Sequence, residues 1–172
     1  MILCGIDPGS SKLGMAFLKI DNGGTPILLG VHHIEPRKAT FNLRMKEIFH
    51  EVSELFEHYK PEKIWIESQF LRSNPDAFKK LCYAVGVIMA SNYSFSDAEM
   101  EIINVKSWRK AIIGNGNASK KETIEKLKQI IPNIPETIEE DSIEAIGIAY
   151  ALFHSKKENS IGKTKRKSKK NG

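Results

Sequence analysis

Met1-Ile2-Leu3-Cys4-Gly5-Ile6-Asp7-Pro8-Gly9-Ser10-Ser11 opens the chain with an apolar run that stops on a carboxylate and then turns. Ile2–Asp7 reads as a short strand, and Asp7-Pro8-Gly9-Ser10-Ser11 as the turn that ends it. Working outward, Leu13–Ile20 and Ile27–Ile34 read as two further strands, joined by the hairpin signal Asp21-Asn22-Gly23-Gly24. From Thr40 to Tyr59 the apolar residues Leu43, Ile48, Val52, Leu55 and Phe56 recur at helical spacing. Lys63-Ile64-Trp65-Ile66-Glu67 is another apolar strand that ends on a carboxylate.

Beyond it, Pro75 starts a helix to about Ser91, and Glu101–Val105 is a short strand. A helix near Ser107–Ile113 precedes the loop Gly114-Asn115-Gly116-Asn117. Ser119 caps a helix running to Ile131, and a last helix spans Glu139–His154. An antiparallel meander followed by alternating strands and helices implies an α/β fold: a mixed sheet flanked by helices.

The 172 residues suit one domain with a real core, and 41% hydrophobic with 27% charged residues suits a soluble one. No apolar run approaches the roughly 20 residues that span a bilayer, so no membrane partner is expected. Cys4 and Cys82 each lie in an apolar stretch, far from metal-site spacing, and read as buried free thiols of a reducing cytoplasm. Charge divides the chain in two. Residues 1–155 hold 18 Lys/Arg against 20 Asp/Glu, a net of −2; residues 156–172 hold 8 Lys/Arg against Glu158, a net of +7. The expected organisation is therefore a domain over residues 1–155 and a basic tail over 156–172. The tail is too poor in apolar side chains to offset its ordering entropy and is expected to be disordered. It is suited to holding nucleic acid or to aiding solubility.

Asp7 and Glu67 each end a hydrophobic strand. If those strands are parallel neighbours, both carboxylates emerge at the edge where open α/β sheets build their sites. Each could equally be a solvated strand end. The last helix adds Glu139-Glu140-Asp141-Ser142-Ile143-Glu144 before turning apolar. Glu139 and Glu140 are explained as partners of the helix dipole. Asp141 and Glu144 share one face of a helix too apolar to lie on the surface, so packing it on the sheet would carry both towards the strand ends. Oxygen-only ligands of this kind suit Mg²⁺ or Mn²⁺ and not zinc. Such a cluster can hold two ions about 4 Å apart for water attack on a phosphodiester. His32-His33 shows no metal-binding spacing and reads as strand filler.

Asp7-Pro8-Gly9-Ser10, Glu67 opening a loop with Phe70, and a helical Asp141-x-x-Glu144, in that order, resemble the RuvC family of Holliday junction resolvases. These are RNase H-like nucleases, and the likeness covers roughly residues 2–154. The segment Trp108-Arg109-Lys110-x-x-x-Gly114-x-Gly116-x-x-Ser119-Lys120-Lys121 is similar to the phage-type branch, whose proteins work in a bacterial host's cytoplasm. The resemblance implies an RNase H-like mixed sheet and a homodimer that binds branched DNA and nicks four-way junctions, with forks or flaps as further substrates. It gives Asp7, Glu67, Asp141 and Glu144 as ligands of Mg²⁺ or Mn²⁺, two ions per site. Glu144 departs from the common pattern, which has Asp there.

The resemblance also gives Phe70 as a base-stacking aromatic, with a folded-back apolar anchor as its alternative. Lys106 and Lys120 fall near the scissile phosphate. Lys120 stands beside a loop entering a helix N-terminus, a natural phosphate cradle, and is expected to act in catalysis. Arg109, Lys110 and Lys121 are expected on the DNA backbone. The helix from Pro75 is apolar nearly all round and so needs partners on more than one side, the sheet being one; the resemblance implies a second copy as the other, with a wholly internal core helix as the alternative. Three other functions compete with a junction nuclease. One is an idle branch-binding module, another an RNase H acting on RNA–DNA hybrids. The third, a sugar-kinase-like phosphotransferase, needs two such domains and more chain than this.

Overall fold

A computed structural model describes residues 1–20, 26–68 and 74–168, with side chains as far as His154. The expected hairpin turn at Asp21-Asn22-Gly23-Gly24 and Phe70 both lie outside the described residues. The elements run β1 (Ile2–Asp7), β2 (Leu13–Lys19), β3 (Ile27–Ile34), α1 (Phe41–Tyr59), β4 (Lys63–Glu67), α2 (Pro75–Phe95), β5 (Glu99–Ile103), α3 (Val105–Ile113), α4 (Lys120–Ile130) and α5 (Glu140–Ser168). This is the order read from the sequence. The five strands form one sheet in the order β3-β2-β1-β4-β5. The first three are antiparallel, and β4 and β5 run parallel to β1.

Strand alternation assigns the two faces. Cys4, Ile6, Leu13, Met15, Phe17, Ile64 and Ile66 face one core, closed by Met45, Ile48, Val52 and Phe56 of α1 and Ala84 and Ile88 of α2. Leu3, Ala16 and Trp65 face the other, closed by Trp108 and Ile112 of α3, Leu127 of α4 and Ile143, Ile146 and Ile148 of α5. On this second face β1 and β2 carry glycine. A Cβ on Gly5 would overlap the Ala145 carbonyl oxygen and the Ala149 nitrogen, and one on Gly14 the Asp141 carbonyl oxygen. The backbone of α5 therefore rests directly on the sheet through Asp141, Ala145 and Ala149, three positions on one helical face.

Local capping sets several boundaries. The Asn104 side chain accepts from Ser107 N, so β5 ends at Ile103 and Val105 begins α3, two residues earlier than the sequence reading. Ser119 and Glu122 form a reciprocal capping box at the start of α4. α2 runs on to Phe95, past the expected Ser91. The backbone of α5 continues to Ser168, where the sequence reading had a helix ending at His154 and a disordered segment after it. No proline interrupts residues 155–168, and lysine and arginine are good helix formers.

Cys4 is buried as expected, but Cys82 is exposed. Ala84, Ile88 and Ser91 define the covered side of α2, and Cys82 lies about 200° from Ala84 around the helix, on its far side. Hydrophobic character alone did not show which side of α2 the protein covers. Among the described residues no helix is long and apolar enough to cross a membrane.

Candidate metal centre

β1 pairs β4 in parallel with Ile6 opposite Ile66, so Asp7 and Glu67 end adjacent strands at the same edge. By alternation both share the face of Leu3, Gly5 and Trp65, the one that α5 covers. α5 reaches that edge with its first turns. Asp7, Asp141 and Glu144 each bring a carboxylate oxygen to within 4.8 Å of the other two. Glu67 stands beside this group and accepts a 2.6 Å hydrogen bond from the Trp108 indole Nε1. The structure thus gathers the four acids read from the sequence, three of them in one cluster and the fourth held at its side.

The electrostatics follow from that geometry. Asp7 is mostly buried, and its pKa is pushed from 3.8 up to about 8, first by burial and then by Glu144, Glu67 and Asp141. Burial also raises the Glu67 carboxyl; its Trp108 hydrogen bond pulls the other way, while Glu144 adds to the rise. Acids forced together in a partly dry edge are costly without a cation. Three carboxylates with no nitrogen or sulfur donor fit a hard divalent ion such as Mg²⁺ or Mn²⁺.

Two basic side chains frame the cluster. Arg109 donates through Nη2 to Glu144 Oε1 at 2.9 Å and through Nη1 to the Ala118 carbonyl oxygen at 3.4 Å, with its guanidinium 5.2 Å from the Trp108 ring centroid. Its side chain is only 19% exposed and turns towards the acid cluster. Lys120 places Nζ 3.0 Å from both Glu144 Oε2 and Glu140 Oε2. Burial lowers its pKa, but the hydrogen bonds to Glu140 and Glu144 outweigh this and hold it raised. As the first residue of α4, after the Ser119 cap, it stands where a helix N-terminus meets the cluster.

The other expected contacts lie further out. Lys106 is exposed on the first turn of α3, and Gly116 packs so close that a Cβ there would come within 2.6 Å of the Lys106 carbonyl oxygen. Lys110 is exposed on α3, and Lys121 is exposed with Nζ 4.0 Å from Glu125. Trp108 is the residue the sequence reading did not assign. It is fully buried, and its ring lies where a Cβ on Gly147 would come within 2.8 Å. Its sequence signals are its place at the head of the segment Trp108-Arg109-Lys110 and a position one turn before Ile112 on a short amphipathic helix, and neither gives it a role.

A mixed sheet whose strand-end acids meet the acids of a covering helix defines a frame for metal-dependent phosphodiester chemistry. The sequence matches the crossover junction endodeoxyribonuclease RuvC family over residues 3–154. The chain is 35% identical to the crossover junction endodeoxyribonuclease RuvC of Shewanella woodyi over 156 residues, 90% of this chain and 87% of that protein. It is 31% identical to its counterpart in Citrifermentans bemidjiense, covering 96% of this chain and all of that one. Among solved structures, Thermus thermophilus RuvC superposes with a TM-score of 0.79 at 21% identity, covering 92% of this chain and 97% of that chain. The same protein has been solved in complex with a Holliday junction substrate. The chain belongs to the RuvC family, a family of divalent-metal-dependent Holliday junction resolvases. These relatives are bacterial, and none of them points to the phage-type branch.

Proposed function

We propose that the chain is a homodimeric endonuclease that nicks four-way DNA junctions by metal-assisted water attack. Asp7, Glu67, Asp141 and Glu144 would hold two Mg²⁺ or Mn²⁺ ions. The observation that carries this reading is the approach of Asp7, Asp141 and Glu144 oxygens to within 4.8 Å, with the Asp7 pKa lifted to about 8. Divalent ions held by these acids would supply an activated water and charge stabilisation for the leaving oxygen.

The chain's own residues do the rest. Glu144 and Glu140 hold Lys120 at the cluster's rim, 36% exposed, where it would meet a phosphate oxygen of bound DNA. Lys106, Lys110, Lys121 and the basic segment after Ser155 are the proposed backbone contacts, and they position DNA without reading sequence. The second copy would cover the open side of α2, where Cys82, Tyr83, Gly86, Ala90 and Tyr93 are exposed. Two symmetric sites would then face two equivalent strands of a junction.

Labelled four-way, three-way and linear duplexes and an RNA–DNA hybrid, each with Mg²⁺, Mn²⁺ or chelator, test the reading. The expected result is paired nicks in the four-way junction with metal and none with chelator. Binding without nicking in every metal, or a preference for the hybrid, overturns it.

A further inference from the structure

The strand ends place Asp7, but they leave the outer two acids on long, rotatable side chains. Glu67 and Glu144 each have three torsions, and a metal site needs its ligands within about 0.5 Å of working geometry. Both are held by consecutive residues of α3. Trp108 Nε1 donates to Glu67 Oε2 at 2.6 Å, and Arg109 Nη2 donates to Glu144 Oε1 at 2.9 Å. Neither donor is free to wander. Trp108 is fully buried against Gly147, on the side of α5 one turn beyond Glu144, so the indole is wedged between β4 and α5. Arg109 is tied to the Ala118 carbonyl oxygen and lies by the Trp108 ring. Lys120, by contrast, is shared between Glu140 and Glu144 and is nearly twice as exposed as Arg109.

We infer that Trp108 and Arg109 are positioning residues for the acid cluster: Trp108 fixes Glu67 and Arg109 fixes Glu144, so α3 sets the spacing of the outer two metal ligands. Hydrogen-bonded partners behind a ligand commonly contribute ten- to a hundredfold in metal affinity. Arg109 also brackets the longer side chain at the position where the family pattern has Asp, and so fixes a carboxylate with one more torsion to restrain.

This inference rests on the acid cluster being the metal site, and the experiment separates the two. Mn²⁺ binding to the full chain without DNA is measured by calorimetry for the unsubstituted protein, Asp7→Asn, Trp108→Phe and Arg109→Lys, with thermal melting as a check on folding. Trp108→Phe keeps an aromatic ring and removes only the N–H donor. Arg109→Lys keeps the charge and loses the forked geometry that reaches Ala118 and Glu144 together. Roughly tenfold or weaker Mn²⁺ binding in both is expected. The Mn²⁺ half-saturation of junction nicking should move by the same factor. If the unsubstituted chain binds no Mn²⁺, or Asp7→Asn binds it equally well, the metal reading itself fails. If Asp7→Asn loses binding while Trp108→Phe and Arg109→Lys bind as the parent does, the metal site stands and the positioning role is overturned. Should Trp108→Phe not fold, Arg109→Lys alone decides.

Discussion

The two faces of the sheet are built on opposite plans. The face under α1 and α2 is filled by side chains: Ile6, Phe17, Ile48, Phe56 and Ile88 interlock there, and Phe17 stacks on Tyr59 at 4.0 Å. The face under α5 carries Gly5 and Gly14 where side chains would stand, and the helix backbone takes their room. Side-chain packing tolerates small errors by repacking, but a backbone resting on a backbone does not. The second plan gives up apolar contact at two positions, and it fixes α5 closely enough to bring Asp141 and Glu144 onto the edge where Asp7 and Glu67 end.

If the second face is the working one, its substitutions should fail in activity and those of the first in stability alone. Asp7→Asn should lower junction nicking by about three orders of magnitude, roughly 4 kcal/mol of transition-state stabilisation, with junction affinity nearly unchanged in a gel-shift assay. Gly5→Ala should cost about 3 kcal/mol in denaturant unfolding and depress nicking further than its stability loss explains, because α5 must shift. Ile88→Val, on the first face, should cost about 1 kcal/mol and leave nicking at the parent rate.

Two further effects bear on the contrast. The basic segment continues α5 from the working face, and deleting residues 156–172 removes eight Lys/Arg. Junction affinity should fall about tenfold, and its dependence on salt should flatten. An unchanged slope in a salt titration would show the segment to be a bystander. The other effect is on pH. Folded Asp7 keeps its proton up to about pH 8, whereas the unfolded chain loses it near 3.8. The stabilisation is therefore full below about pH 4 and fades as pH rises through 8. The metal-free thermal midpoint should fall by roughly 10 °C between pH 5 and 8.5, with saturating Mg²⁺ reversing the loss; a flat profile would mean Asp7 is not crowded as described.

Much of this plan was legible in the sequence, for reasons that differ by residue. Asp7 and Glu67 announce themselves by ending apolar runs, and strand pairing then does the rest. Asp141 and Glu144 stood out because a charged turn led an apolar helix. Trp108 did not, since its role depends on β4 and α5 meeting α3, a tertiary fact with no local pattern. Arg109 and Lys110 are neighbours of like charge, and only the fold shows that one turns inward to Glu144 while the other is exposed. Cys82 was misplaced for a related reason: α2 is apolar on both sides, and the covered side is chosen by α1 and the sheet. The β5–α3 boundary moved by two residues because a single Asn104 cap outweighs the strand preference of Val105.

On the proposed function, a divalent ion binds at the edge formed by Asp7, Asp141 and Glu144. Crystals of the full chain soaked in Mn²⁺, measured for anomalous scattering, test it most directly. A strong anomalous peak bounded by carboxylate oxygens of those three residues, lost in Asp7→Asn crystals, is the expected result. A peak elsewhere on the molecule with none at this edge would contradict it.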